Sequence, residues 1–153
     1  MKKSFTLIEL VFVIIIIGIL AAVALPRLFA TRDDAVITKV RSDVSAIRSA
    51  ISNLRTTNLM KGISSYPEAL DDAVANQEGE ELFDGNSTIG KLLDYPIYSK
   101  NADGHWMKID TTKYKVKVLN VDVEFDYDNS NGHFDCNGIN TGEANKTCIL
   151  LTH

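Results

Sequence analysis

A long apolar segment near the N-terminus, from Leu7 to Leu25, restricts what this chain can fold into more than any other feature. The segment is apolar except for Glu9 and Gly18. Because about 20 apolar residues in a helix span the hydrocarbon core of a bilayer, it is long enough to cross a membrane. The remainder of the 153-residue chain is more polar, and this length predicts one domain.

Two general interpretations of this segment leave part of it unexplained. A cleaved signal peptide is favoured by Lys2, Lys3 and the small residues at 22–24, but signal cores usually hold only about 7–15 apolar residues. An ordinary membrane anchor has the required length. Neither interpretation explains Glu9, because a carboxylate in lipid is energetically costly and commonly marks function.

A third interpretation explains both the length of the apolar segment and the presence of Glu9. Residues 4–9, with the sequence SFTLIE, resemble the prepilin signature of type IV pilins and type II secretion pseudopilins, although that family usually has Gly where this chain has Ser4. The resemblance implies that a prepilin peptidase cuts between Ser4 and Phe5 and that Phe5 is then N-methylated. The apolar helix would stay in the mature protein.

The resemblance also implies an assembly role for Phe5 and Glu9. A lone carboxylate in an apolar layer is unfavourable unless it is paired. The freed α-amino group of a neighbouring subunit's Phe5 would pair with Glu9 and set the register between subunits. Alternatively, Glu9 lies close enough to one end of the span to reach the lipid headgroups.

A helical stripe follows the apolar segment. Its apolar residues recur every three or four positions: Ile37, Val40, Val44, Ile47, Ile51 and Leu54. The charged residues assigned to the opposite face are Lys39, Arg41, Asp43, Arg48 and Arg55. We expect the stripe to pack under a sheet, with a free coiled-coil seam as the alternative.

A single helix from Phe5 to Lys61 would be roughly 85 Å long. Gly62 is suited to end it. Pro26 either kinks this helix or begins a new one as its first residue, and Gly18 is a second weak point.

The C-terminal half predicts a small antiparallel sheet. Residues 63–100 form a connector, in which Glu68–Ala75 could be a short helix. Apolar and charged residues alternate from Lys113 to Tyr127, with a change of parity at Leu119-Asn120. A two-residue hairpin there pairs Val118 with Val121 and, at its far end, Lys113 with Asp126. His133–Cys136 could return as a further strand.

These patterns predict an α+β, pilin-like fold, with a long N-terminal helix packed under a small antiparallel sheet. The predicted parts are a leader (1–4), an apolar membrane and polymerisation helix (5–25), an amphipathic continuation (26–62) and an extracytoplasmic connector and sheet (63–153).

The two cysteines, Cys136 and Cys148, are either free thiols or a disulfide. An exported domain favours the disulfide. The loop between them resembles the disulfide-bounded C-terminal loop of many type IV pilins.

No catalytic constellation or cofactor motif is present in the sequence, which predicts a protein that is not an enzyme. A weak calcium loop is possible, because major pseudopilins carry a calcium site near the C-terminus. Its candidate oxygen ligands are Asp126, Asp128, Ser130 and Asp135. A solvated turn is the alternative.

Two N-x-[ST] sequences, at Asn86 and Asn145, are candidate glycosylation sites. An acidic residue lies two positions before each asparagine, as in the extended bacterial acceptor sequence. The acids are Asp84 and Glu143.

The resemblance implies a structural subunit of a type II secretion pseudopilus, which the short domain favours, or of a type IV pilus. Its implied partners are copies of itself, other pilin-like subunits, the peptidase, an inner-membrane platform and its ATPase, and lipid before assembly. Its implied location is the bacterial inner membrane, crossed once, and then a periplasmic or surface filament. The alternatives are a periplasmic binding module, soluble or tethered, that does not polymerise, and a minor pilin for DNA uptake or adhesion. The net charge of −4 disfavours nucleic-acid binding.

Overall fold

The computed structural model describes residues 6–153, with the side chains of residues 25–30 excepted. Helix α1 (Leu7–Met60) comes first and is followed by short strands and a second helix. The later elements are β1 (Glu81–Leu82), β2 (Gly85–Asn86), β3 (Gly90–Lys91), β4 (Ile97–Tyr98), β5 (Trp106–Lys108), β6 (Lys113–Val118), β7 (Val121–Asp128), β8 (His133–Asp135) and α2 (Gly142–Thr152). The predicted α+β class is confirmed.

The chain divides into two compact units, one ending at Ala35 and the other spanning Val36–His153. The second unit holds an antiparallel four-stranded sheet in the order β5-β6-β7-β8. The pairing of β6 with β7 has the predicted register, from Val118 opposite Val121 to Lys113 opposite Asp126. The alternation of apolar and charged residues therefore determined the register of the hairpin.

The core of the second unit lies between the C-terminal part of α1 and the inner face of this sheet. Val40, Val44, Ile47 and Ile51 belong to one buried cluster with the inward side chains of β5 to β8. The stripe thus packs against the sheet, as predicted. Rings from the connector and the sheet contact one another in this core, with centroids 4.4–6.0 Å apart. The rings are those of Phe83, Trp106, Tyr114, Phe125 and Phe134.

The charged residues assigned to the opposite face of α1 instead border the buried stripe. The Nε atoms of Arg41 and Arg48 donate to the carbonyl oxygens of Leu150 (2.6 Å) and Phe134 (2.9 Å). Asp43 Oδ2 accepts from the Trp106 indole at 3.1 Å. Arg41 thus caps a carbonyl in the last turn of α2, and Arg48 caps a carbonyl of β8. Together with the contact of Asp43 to Trp106, they hold α2, β8 and β5 against the helix.

The predicted short helix at Glu68–Ala75 is wrong, because buried Asp71 organises this part of the connector differently. Its Oδ1 accepts from Lys108 Nζ at 2.7 Å, and its Oδ2 accepts from the Tyr114 hydroxyl and the Phe83 N–H, each at 2.9 Å. Asp71 and Lys108 are 1% and 5% exposed. Burial, followed by the charge of Asp71, raises the pKa of Tyr114 far above its usual range, so its hydroxyl stays protonated and donates.

We predict that Asp71→Asn lowers the free energy of unfolding of residues 36–153 by about 3–5 kcal/mol, because it leaves the Lys108 ammonium buried without its partner. Urea unfolding followed by the fluorescence of Trp106, which is fully buried, measures this loss. The control is Asp122→Asn, which removes the exposed partner of Lys115 (3.1 Å) and should cost less than about 1 kcal/mol. Equal losses in the two variants would contradict the prediction.

We predict that Leu119→Asn raises the free energy of unfolding by about 0.5–1 kcal/mol. Leu119 and Asn120 both have left-handed backbone, with φ of 53° and 65°, and a left-handed conformation costs leucine about 1–2 kcal/mol but is tolerated by asparagine. The control is Leu119→Ala, which removes the exposed apolar side chain but keeps the strained β-carbon. An equal gain from alanine would show that strain is not the cause.

Candidate functional site

The first part of α1 is an apolar surface that nothing in its own unit covers. Leu7–Ala24 has a mean hydropathy of 3.1 and is long and apolar enough to cross a membrane. Its large apolar side chains are 40–81% exposed. Such a surface is stable only in lipid or against other apolar chains.

Glu9 lies in the first turn of this helix and is tied to Thr6, the residue before the helix. Glu9 Oε2 accepts from the Thr6 N–H at 3.3 Å and from the Thr6 hydroxyl at 3.1 Å. In return, the Glu9 N–H donates to Thr6 Oγ1 at 3.3 Å. This reciprocal arrangement is a capping box, which satisfies N–H groups that the start of a helix leaves free.

The cap involves one oxygen of the Glu9 carboxylate. Among the described residues, Glu9 Oε1 accepts no hydrogen bond. The carboxylate also lies at the N-terminal end of α1, where the helix dipole favours negative charge. Glu9 is therefore partly stabilised within its own chain and keeps one oxygen available to an external donor.

The role of Thr6 in this site was not predicted from the sequence. The spacing Thr6-x-x-Glu9 ahead of an apolar run is the sequence signature of a capping box and could have identified it.

The remaining predicted residues of the apolar segment differ in how far the structure describes them. Ser4 and Phe5 lie outside the described residues, so cleavage, methylation and the pairing of Phe5 with Glu9 stay predictions. Gly18 is helical, and a β-carbon there would meet nothing within 4 Å. Pro26 falls within the range of α1, but its side chain is outside the description, and the predicted kink stays a prediction.

The proposed calcium ligands lie on β7, on β8 and in the turn that joins them. Asp126 is directly opposite Asp135, but Asp126 Oδ1 accepts from Thr112 Oγ1 at 3.1 Å and Asp135 Oδ1 accepts from the Cys136 N–H at 2.7 Å. Asp128 accepts from the Ser130 hydroxyl and N–H, which lowers the pKa of the Asp128 carboxyl. Each of these contacts engages a carboxylate oxygen within the protein itself, and calcium binding stays a prediction.

The described residues contain one close group of metal-ligating side-chain types, formed by Asp135, Cys136 and Cys148. Its two cysteines form a disulfide and so are not available as thiolate ligands.

The disulfide joins Cys136, the residue after β8, to Cys148 in α2, with Cα atoms 5.8 Å apart. Asn140, in the loop between the cysteines, donates from Nδ2 to the carbonyls of Glu124 (2.8 Å) and Cys136 (3.0 Å) and accepts from the Glu124 N–H. These are the hydrogen bonds that a neighbouring strand residue would make, so the Asn140 carboxamide continues the pairing along β7 past the end of β8. Helix α2 itself was not predicted from the sequence.

The two candidate glycosylation residues lie in different secondary-structure elements. Asn86 is in β2, at the start of a tight hairpin in the connector, and Asn145 is inside α2.

The comparisons with known proteins identify both the N-terminal segment and the chain as a whole. Residues 1–25 match the family model described as the prokaryotic N-terminal methylation motif. The chain is 44% identical over 121 residues to the type IV narrow pilus major component PilA5 of Thermus thermophilus, which covers 79% of this chain and 97% of that protein.

Two relatives come from type II secretion systems. The chain is 39% identical to core protein G of Klebsiella michiganensis, over 43% of this chain and 43% of that protein. It is 37% identical to core protein G of Pseudomonas aeruginosa, over 63% of this chain and 66% of that protein. Both matches thus span less than two thirds of the relative. No solved structure matches the chain significantly.

Proposed function

We propose that this chain, which belongs to the type IV pilin-like family, is a structural subunit of a type IV pilus or type II secretion pseudopilus. The N-terminal helices of the subunits hold this filament together. The relatives are structural subunits and not enzymes, which fits the absence of a catalytic motif from the sequence. The match to nearly the whole of a pilus major component favours the pilus, whereas the short domain had favoured the pseudopilus.

One observation carries this proposal: the apolar surface of Leu7–Ala24 is exposed, while Val36–His153 has a complete core of its own. Before assembly, lipid covers the apolar helix in the inner membrane. During assembly, a platform and its ATPase move the helix out of lipid into a bundle of like helices. Because lipid and helix bundle are both apolar, the transfer does not expose the helix to water.

Glu9 supplies the specificity that an apolar bundle lacks. Apolar contacts alone allow neighbouring helices to slide, since the hydrophobic effect is not directional. A carboxylate that must be paired in an apolar surrounding permits few positions. The free oxygen Oε1 is available for the α-amino group of Phe5 of the next subunit while the cap to Thr6 stays formed.

Maturation creates that amino group. A prepilin peptidase cuts between Ser4 and Phe5, and Phe5 is methylated at its nitrogen, which retains the positive charge of the amine. The mature subunit has its extracytoplasmic unit outside the inner membrane, and its filament partners are copies of itself and other pilin-like subunits.

We predict that the mature protein begins at Phe5 and carries one N-methyl group. N-terminal sequencing and mass spectrometry of the protein from its native host measure both properties. A mature protein that begins at Leu25 would instead establish a cleaved signal peptide and a soluble exported domain, and would contradict the proposal.

We predict that Glu9→Leu leaves the subunit in the membrane but lowers the yield of sheared filaments at least tenfold. A buried amine that loses its only anionic partner costs about 3–5 kcal/mol. Immunoblots of sheared and membrane fractions measure the two populations.

Thr6→Ala is the matched control for helix capping. It removes the hydroxyl of the capping box but keeps the Glu9 carboxylate, so we expect filaments to persist. Normal yield from Glu9→Leu would contradict the pairing. An equal loss from Thr6→Ala would assign the effect to the cap.

A further inference from the structure

We infer that Asn86 is an N-glycosylation site of this protein and that Asn145, although it lies in an equally good acceptor sequence, is not. Each asparagine has a threonine two positions after it and an acid two positions before it, so sequence alone ranks them equally. The structure separates them by backbone conformation and by the contacts of the flanking residues.

Asn86 lies at the base of a tight surface hairpin formed by β2 and β3. Its Oδ1 accepts from the N–H groups of Thr88 (3.0 Å) and Ile89 (2.9 Å), which fixes the carboxamide at one end. Ser87 and Thr88 are exposed. The acceptor sequence therefore lies at the surface in a loop, where an enzyme can reach it.

The nitrogen of this carboxamide is free. Among the described residues, Nδ2 of Asn86 donates no hydrogen bond, and no buried side-chain nitrogen or oxygen lacks a partner. Since Asn86 is only partly exposed, the unbonded Nδ2 must itself be in contact with solvent. The oxygen is held by two backbone donors, and the nitrogen is accessible to solvent.

The modification is a group transfer from a lipid-linked oligosaccharide with a pyrophosphate leaving group, catalysed by an oligosaccharyltransferase. Nδ2 of Asn86 forms a bond to the anomeric carbon of the first sugar, and the bond from that carbon to the pyrophosphate oxygen breaks. Nδ2 loses one proton to a base of the transferase or to solvent. The two N–H groups at Oδ1 stabilise the negative charge that this oxygen gains as the proton leaves.

The flanking acid is available at Asn86. Asp84 forms no ion pair among the described residues, so its carboxylate can be recognised by a cationic group of the transferase. At the second sequence, Glu143 is already paired with Lys146 at 2.7 Å.

The backbone around Asn145 is also unsuited to transfer. Asn145 is inside α2, and the Thr147 hydroxyl donates to the Glu143 carbonyl at 3.0 Å. The next residue, Cys148, is buried and held by the disulfide to Cys136. A transferase would have to unwind a helix that is covalently fixed near this point.

There is also space for a sugar beside Asn86. This residue lines a surface groove of about 500 Å³, together with Ile63, Tyr66, Pro67 and Ile89. A groove of this size accommodates a small ligand. The lining combines these apolar side chains with polar ones, among them Ser65, Glu68 and Asp72, and so suits a sugar ring, which has both less polar faces and hydroxyl groups.

The test is peptide mapping by mass spectrometry of the protein isolated from its native host. We expect a saccharide on the peptide that contains Asn86 and an unmodified peptide around Asn145. Asn86→Gln should abolish the modification, whereas Asn145→Gln should leave it unchanged. Thr88→Ser should keep it, and Thr88→Val and Asp84→Asn should each lower occupancy at least tenfold.

Two controls make the outcome decisive. The fluorescence of buried Trp106 establishes that each variant is folded. Because the inference requires export but not polymerisation, Glu9→Leu should leave the occupancy of Asn86 unchanged even if filaments are lost. An unmodified Asn86 in the folded wild-type protein, a saccharide at Asn145, or full occupancy in Thr88→Val would overturn the inference.

Discussion

The uncovered apolar surface of α1 from Leu7 to Ala24 is the constraint on which the rest of this molecule depends. Burial of apolar surface is worth about 25 cal/mol per Å², so a helix whose large side chains are at least 40% exposed must be covered by something else. The second unit already has a closed core of helix and sheet. The chain therefore combines an element that needs neighbours with a unit that does not.

The second unit is held together by a few long-range polar contacts as well as by its core. The connector between α1 and β5 contains only two-residue strands, which supply few backbone hydrogen bonds. Asp71 replaces them by joining the connector to β5 through Lys108 and to β6 through Tyr114. A buried ion pair adds little net stability, but breaking it is costly, so it specifies one arrangement of an irregular segment.

The parts of the fold that were predicted correctly are those in which apolar residues recur with a fixed period along the sequence. The stripe on α1 and the register of the hairpin followed from spacing alone, and even the poor turn at Leu119-Asn120 did not change the pairing. The prediction failed at the incorrect helix Glu68–Ala75 and at the unpredicted helix α2, because no periodic pattern determines these two segments. Single side chains, Asp71 in one case and Cys148 with Asn140 in the other, decide these segments through distant partners that no local pattern reveals.

The capping box at the start of α1 shows why an acid can persist in so apolar a segment. In the isolated subunit, Thr6 and the helix terminus offset part of the penalty of desolvating Glu9, so the carboxylate is tolerable before a partner arrives. Because the cap involves one oxygen, the proposed pairing with a second subunit would add an interaction without displacing one. In that proposal, the same side chain stabilises the start of its own helix and selects the position of the next one.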